Sequence, residues 1–212
     1  MTKKSKLNII LPIAFTAALL ASMIYCGEFA SSGSMFKSVL QLSAIYMLLA
    51  VSLNLLNGFT GLFSLGQAGF MTIGAYTYAI FTIPVKSRAS VYYLYGVADW
   101  LKNIELPVII ALIVAGLAAA LLAAIIGAPV LRLKSDYLAI ATLGFAEVVR
   151  IVVASSPLNK ITNGSLGLKK IPGFESYYGI FIVAFVCIAI IMLLLNSTYG
   201  RALKAIRDDE IA

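Results

Sequence analysis

The chain has 212 residues, 61% of them hydrophobic and only 12% charged, about half the ~25% charged share of an ordinary soluble domain. Its formal charge of +7 sits on lysines and arginines in the connections and tails, which argues against nucleic acid and fits anionic headgroups and the positive-inside bias. No histidine is present, so the commonest general base and metal ligand is missing; no Ser/His/Asp, Cys/His or paired-carboxylate set stands in for it, and no catalytic residue or metal is expected.

A helical bilayer crossing needs ~20 apolar residues, and six runs approach that length. The first, residues 8–26, follows Lys3, Lys4 and Lys6. It outruns the apolar core of a usual signal peptide and no small-x-small cleavage site follows, so it reads as a retained span, with Pro12 tolerated in its first turns. Residues 38–85 then hold no charged side chain. They contain the second and third spans, residues 38–56 and 67–83, the latter stopped by Pro84. Between them runs Asn57-Gly58-Phe59-Thr60-Gly61-Leu62-Phe63-Ser64-Leu65-Gly66, too glycine-rich for a good helix. Irregular backbone beside membrane spans survives only at the water interface, or where protein or a wet cavity shields it. The segment is therefore a candidate substrate path.

The fourth span, residues 106–131, is opened by Glu105 and Pro107 and closed near Pro129. Within it Gly116, Ala120 and Ala124 recur every four residues, with Ala119, Ala123 and Gly127 one step round, a spacing that predicts close helix packing. The fifth, residues 137–154, carries Glu147 and Arg150 on one helical face. Ionisable residues within a span suggest a role in the pathway; a snorkelling Arg150 paired locally with Glu147 is the structural alternative. The sixth span is residues 176–196. The two cysteines, Cys26 and Cys187, fall at or inside spans and read as small buried hydrophobes.

Beyond residue 196, Arg201, Lys204 and Arg207 recur every three residues opposite Ala202, Ala205 and Ile206. This predicts a short amphipathic helix outside the bilayer, either lying on lipid or docking a soluble partner. The acidic cluster Asp208, Asp209 and Glu210 weighs against pure lipid binding. Basic residues number eight on the N-terminal side and seven in the longer opposite loops, which favours the N-terminus inside; six spans would bring the tail back to the same side. Residues 164–170 hold glycines and lysines, but with the wrong spacing for a phosphate-binding loop and no Ser or Thr after a lysine. Any ATP must be handled elsewhere.

Three ordered segments go further. One is Leu53-Asn54-Leu55-Leu56-Asn57-Gly58, leading through Gly61 to Ser64-Leu65-Gly66-Gln67-Ala68-Gly69-Phe70 and Ile73-Gly74-Ala75-Tyr76. The next is Ser135-Asp136-Tyr137-Leu138-Ala139-Ile140-Ala141-Thr142-Leu143-Gly144-Phe145 with Glu147 and Arg150, then Thr162-Asn163-Gly164-Ser165-Leu166-Gly167-Leu168 and Ile171-Pro172. The last is Thr198-Tyr199-Gly200-Arg201-Ala202-Leu203-Lys204-Ala205-Ile206-Arg207-Asp208-Asp209-Glu210-Ile211-Ala212. From about residue 38 to its last residue the chain resembles the inner-membrane permease subunits of branched-chain amino-acid ABC importers, the M-type partner of a paired H-type subunit. Gln67 stands where members often carry histidine; hydrogen bonding survives that exchange and titration does not.

The resemblance implies an all-α integral membrane protein of about six transmembrane helices, with a glycine-broken segment between spans two and three and a cytoplasmic amphipathic helix at the end. Residues 1–196 would form the permease domain, and residues 197–212 the start of the segment that couples to the ATPase through Arg201, Lys204, Arg207, Asp208, Asp209 and Glu210. The implied function is passage of branched-chain or related small amino acids across the bacterial inner membrane, without bond chemistry. No cofactor would be bound by this chain, ATP being hydrolysed by partner subunits. The implied partners are a second permease subunit, two cytoplasmic ATPases, an extracytoplasmic amino-acid-binding protein and membrane lipid. Because the third segment stops inside the coupling motif, the chain is expected to be truncated and unable to transport by itself.

A zwitterionic amino acid needs donors for its carboxylate and acceptors for its ammonium, which glycine-interrupted helix ends can offer. The candidate path residues are Asn57, Gly58, Gly61, Ser64, Gly66, Gln67 and Gly69, with Asn163, Gly164 and Ser165 at the outer mouth. The alternative for both groups is a tight turn whose glycines only relieve strain. Permeases for urea or short amides look similar. A secondary transporter or channel working alone is a further alternative, although it would usually bury charges for ion coupling and would need no docking tail.

Overall fold

The computed structural model describes residues 35–133, 135–174 and 176–208, which form helices and turns and no strand. Helix α1 is Met35–Asn54, widening into a π-helical turn, Leu55–Phe59. After irregular chain come α2, Gln67–Thr82, and α3, Val85–Val91. Helix α4 is Val108–Val130 and α5 is Ser135–Val153. A single turn, α6, covers Asn159–Thr162; α7 is Gly179–Asn196 and α8 is Thr198–Asp208.

Three of these helices are long and apolar enough to cross a membrane: Met35–Phe59, Val108–Val130 and Gly179–Asn196. Counting two bent pairs as spans, Gln67–Thr82 with Val85–Val91 and Tyr137–Val153 with Ser156–Thr162, raises the number to five. The expected six spans are thus three to five among the described residues, and the first expected span, residues 8–26 with Cys26, lies outside them. The reason at α2 is length. Its 16 residues reach only about 24 Å at 1.5 Å per residue, short of a ~30 Å hydrocarbon core. The extended backbone at Ile83 and Pro84 then turns the chain by 119° into α3.

The chain divides into two compact units, Met1–Val51 with Glu175–Leu194, and Ser52–Phe174 with Leu195–Ala212. In the first, the Lys37 ammonium stands 5.4 Å from the centre of the Tyr177 ring, and Tyr177 meets Phe181 edge-on at 5.2 Å. The second unit is built around α2, which packs on α4 and α5. The buried residues of α4 are Ala111 and Ala115. By contrast the row Gly116, Ala120 and Ala124, expected to pack closely, is exposed, and a Cβ added at Gly116 would meet nothing. The other expected row, Ala119, Ala123 and Gly127, is half-buried and continues the line of Ala111 and Ala115. On the other side, Gly69 lets α2 reach α5: a Cβ there would lie 3.0 Å from Ala146 Cα and 3.1 Å from the Phe145 ring. Phe70 and Phe145 extend this seam, with ring centres 5.3 Å apart.

Candidate functional site

At the end of the second unit where α5 begins, the glycine-rich segment folds into a self-satisfied knot. Four of its backbone N–H groups find side-chain acceptors. Leu62 donates to Thr60 Oγ1 at 3.3 Å, Ser64 to Asn57 Oδ1 at 3.2 Å, Gly66 to Ser64 Oγ at 3.4 Å, and Leu65 to Thr142 Oγ1 of α5 at 3.0 Å. The Thr142 hydroxyl in turn donates to the Ala139 carbonyl at 3.0 Å. Gly61 has a φ of 73°, a left-handed conformation that glycine adopts without a Cβ penalty. Protein groups satisfy this backbone, which allows irregular chain at membrane depth. The same bonds occupy donors that were expected to face a substrate carboxylate. Gln67 opens α2 and donates through Nε2 to Ser52 Oγ at 2.6 Å, and a Cβ at Gly66 would stand 3.3 Å from Thr142 Cβ.

The tail helix grips this knot. Arg207 Nη1 donates to the Gly58 carbonyl at 3.0 Å, and the Lys204 ammonium lies 5.5 Å from the centre of the Phe59 ring. A side chain at Gly61 would meet Arg207 Cγ at 3.2 Å. Gly200 is buried in the first turn of α8, where a Cβ would overlap the Leu195 carbonyl. Its Tyr199, Arg201, Ala202, Ala205 and Ile206 remain exposed. Asp209 and Glu210 lie outside the described residues.

The opposite end is a cap made by the long loops. Ile83, Val91 and Tyr92 form its buried core, with Val97 and Leu168 packed against them. Arg88 is 3% exposed and donates to three carbonyls, Ile83 at 3.1 Å, Leu101 and Ile104, tying the end of α2 to the approach to α4. The Tyr92 hydroxyl donates to the Ile161 carbonyl at 2.7 Å. Burial pushes its phenol up to about 12 against the opposing pull of Arg88, so it stays a donor. Ala98 N–H reaches the Lys160 carbonyl at 3.2 Å. The Lys102 ammonium bonds Asp99 at 2.6 Å and holds that exposed carboxyl below its ordinary range. Asn163 and Gly164 sit in left-handed turns of the cap, with φ of 62° and 56°, and Ser165 beside them is exposed. Near the cap end of α5, Glu147 and Arg150 are exposed and bond each other bidentately, at 2.9 and 2.5 Å. Among the described residues no cluster of His, Cys, Asp or Glu could hold a metal ion.

Residues 35–212 match the family described as the branched-chain amino acid transport system permease component. This chain belongs to that family. Two relatives named high-affinity branched-chain amino acid transport system permease protein LivM agree: the one from Escherichia coli (strain K12) is 32% identical, and the one from Salmonella typhimurium (strain LT2) 31%. Each alignment covers 93% of this chain and 49% of the relative, so the chain spans about half the length of the curated relatives it matches. No solved structure matches it. Within this chain, two groups of residues singled out separately in the sequence meet: Gly58 and Gly61 lie against Arg207. Asn163, Gly164 and Ser165 are at the other end. Sequence reasoning missed Ser52 and Thr142 as partners of the knot, and Arg88 and Tyr92 as organisers of the cap. Thr142 lay in a quoted motif; a lone arginine in a long loop carried no signal of burial.

Proposed function

We propose that the chain is a membrane-spanning permease subunit of an ATP-binding-cassette importer that passes branched-chain amino acids across the bacterial cytoplasmic membrane. Helix α8 would face the cytoplasm and the cap the outside. ATP would be hydrolysed by two partner subunits, a second permease subunit would complete the path, and an extracytoplasmic binding protein would deliver the substrate. The observation that carries this reading is the continuous bonded route from tail to membrane helix: Arg207 to Gly58, along the knot, and from Leu65 to Thr142 of α5. Displacement of α8 by a partner would reach membrane depth through a few residues, which a transporter working alone would have no reason to build. The substrate class is supported by the names of the two relatives.

In the proposed path Gln67 is the side chain best placed to act, since its amide retains acceptor capacity while Nε2 holds Ser52. Gly69 lies close against Ala146 and Phe145 of α5. The test is ATP-dependent uptake of labelled leucine by proteoliposomes holding the complete complex, with urea as competitor. Gln67→Leu should lower uptake without lowering the yield of assembled complex. Leucine uptake that needs no ATPase, or uptake displaced by urea and indifferent to leucine, would overturn the proposal.

A further inference from the structure

The cap contains a cavity of about 140 Å3, close to the ~150 Å3 that admits one benzene-sized molecule. Its walls divide by chemistry. Val91 and Leu166 supply an apolar side, while Ser90, Lys169 and Lys170 supply donors. Lys170 Nζ rests on the Ser90 hydroxyl at 3.0 Å, a neutral partner that leaves the ammonium charge uncompensated by that contact. Tyr93 also lines the cavity, and Asn163 completes the wall. It is 3% exposed, its amide nitrogen is committed to the Gly167 carbonyl at 2.8 Å, and its buried Oδ1 has no hydrogen-bond partner. A buried acceptor without a donor is costly, and the residue that carries it lines the cavity. The backbone beside it takes positive φ at Gly164 and Gly167, where glycine has no Cβ penalty, and at Lys170, with φ of 57°, where a side chain rarely allows it.

We propose that this cavity binds a zwitterionic α-amino acid with an aliphatic side chain. The Lys169 and Lys170 ammoniums meet its carboxylate, Asn163 Oδ1 accepts from its ammonium, and Val91 and Leu166 cover its side chain. The assignment deepens the proposed function, on which it rests, by adding an outer site distinct from the glycine-rich segment, and its binding assay needs no transport.

The experiment is calorimetric titration of the full chain in lipid nanodiscs with three probes: L-leucine, leucinamide, which lacks the carboxylate, and isocaproate, which lacks the ammonium. L-leucine should bind saturably. Asn163→Gly, which keeps the left-handed backbone, should weaken L-leucine about tenfold, as loss of one hydrogen bond to a charged group does, and leave isocaproate unchanged. Lys169→Gln with Lys170→Gln, at exposed positions that do not endanger folding, should weaken L-leucine and isocaproate and leave leucinamide unchanged. Absence of saturable binding would show a cavity holding water alone, and equal L-leucine affinity in wild type and both variants would place binding elsewhere; either result overturns the site. If the complete complex takes up leucine under ATP while those results hold, the site falls and the transport function stands. Binding with the expected pattern in a complex that transports no amino acid would sustain the site and remove the function.

Discussion

Gly69 and Thr142 join α2 and the knot to α5 in different ways, and each predicts its own failure. Gly69→Val would drive a branched side chain into Ala146 backbone at 3.0 Å, overpacking that costs about 1–3 kcal/mol. It should lower the melting temperature of the purified protein, so lost uptake in that variant would report packing rather than path. Thr142→Val keeps the shape of the side chain but leaves the Leu65 N–H without its acceptor, at a cost of about 1–3 kcal/mol; the melt should fall, and Thr142→Ser should restore most of it. Arg88→Leu strips three carbonyls of a donor, each bond to a charged group being worth roughly 1.5–3 kcal/mol, and protease should then cut the cap loops sooner than in wild type. Tyr92 adds a pH dependence. Its phenol is raised from 10.0 to about 12, so the folded state holds that proton longer than the unfolded state does. Its contribution is complete below pH 10 and is lost as pH climbs through about 12. Ultraviolet titration should show a late-ionising phenol that Tyr92→Phe removes.

Helix α8 and the turn Leu55–Phe59 work as a pair, because Arg207 and Lys204, although exposed, reach Gly58 and Phe59. If the proposed function holds and the other exposed residues of α8 carry docking, Arg207→Ala with Lys204→Ala should loosen the knot and leave the ATPase bound. In a complete complex the expected outcome is ATP hydrolysis at near wild-type rate with leucine uptake reduced several-fold. A parallel loss of hydrolysis and uptake would mean that these side chains serve docking instead. The bent pair α2 and α3 shows the converse relation between element and neighbours. Pro84 breaks the helix locally, but the direction of the 119° turn is held by Arg88 and by Glu105, whose Oε2 accepts the Val85 N–H at 3.0 Å.

Over the second unit as a whole, the cap loops and the knot lie at opposite ends of α2 and α5, so the two ends should report opposite compartments. Reporter fusions near Arg88 and near Lys160 should both read as outside, since those loops are bonded to each other at Tyr92 and Ile161, and fusions within α8 should read as cytoplasm. A split between the two loops would contradict the cap, and an outside signal from α8 would contradict coupling to an ATPase. Much of this was legible in the sequence. Uncharged runs and prolines mark helices α1, α2, α4, α5 and α7 to within a few residues, because the bilayer demands apolar length and proline removes a donor. Three ordered motifs sufficed for the family. What residues cannot announce is which neighbour they meet across the fold: the exposed face of Gly116, Ala120 and Ala124 and the buried one of Ala111 and Ala115 carry the same small residues. Likewise no local pattern tells that the free N–H of Leu65 ends on Thr142, or that Arg88 is buried. Periodicity and charge act along the chain and are read from it. Donor–acceptor pairing and close packing act between distant segments, and only the tertiary structure decides them.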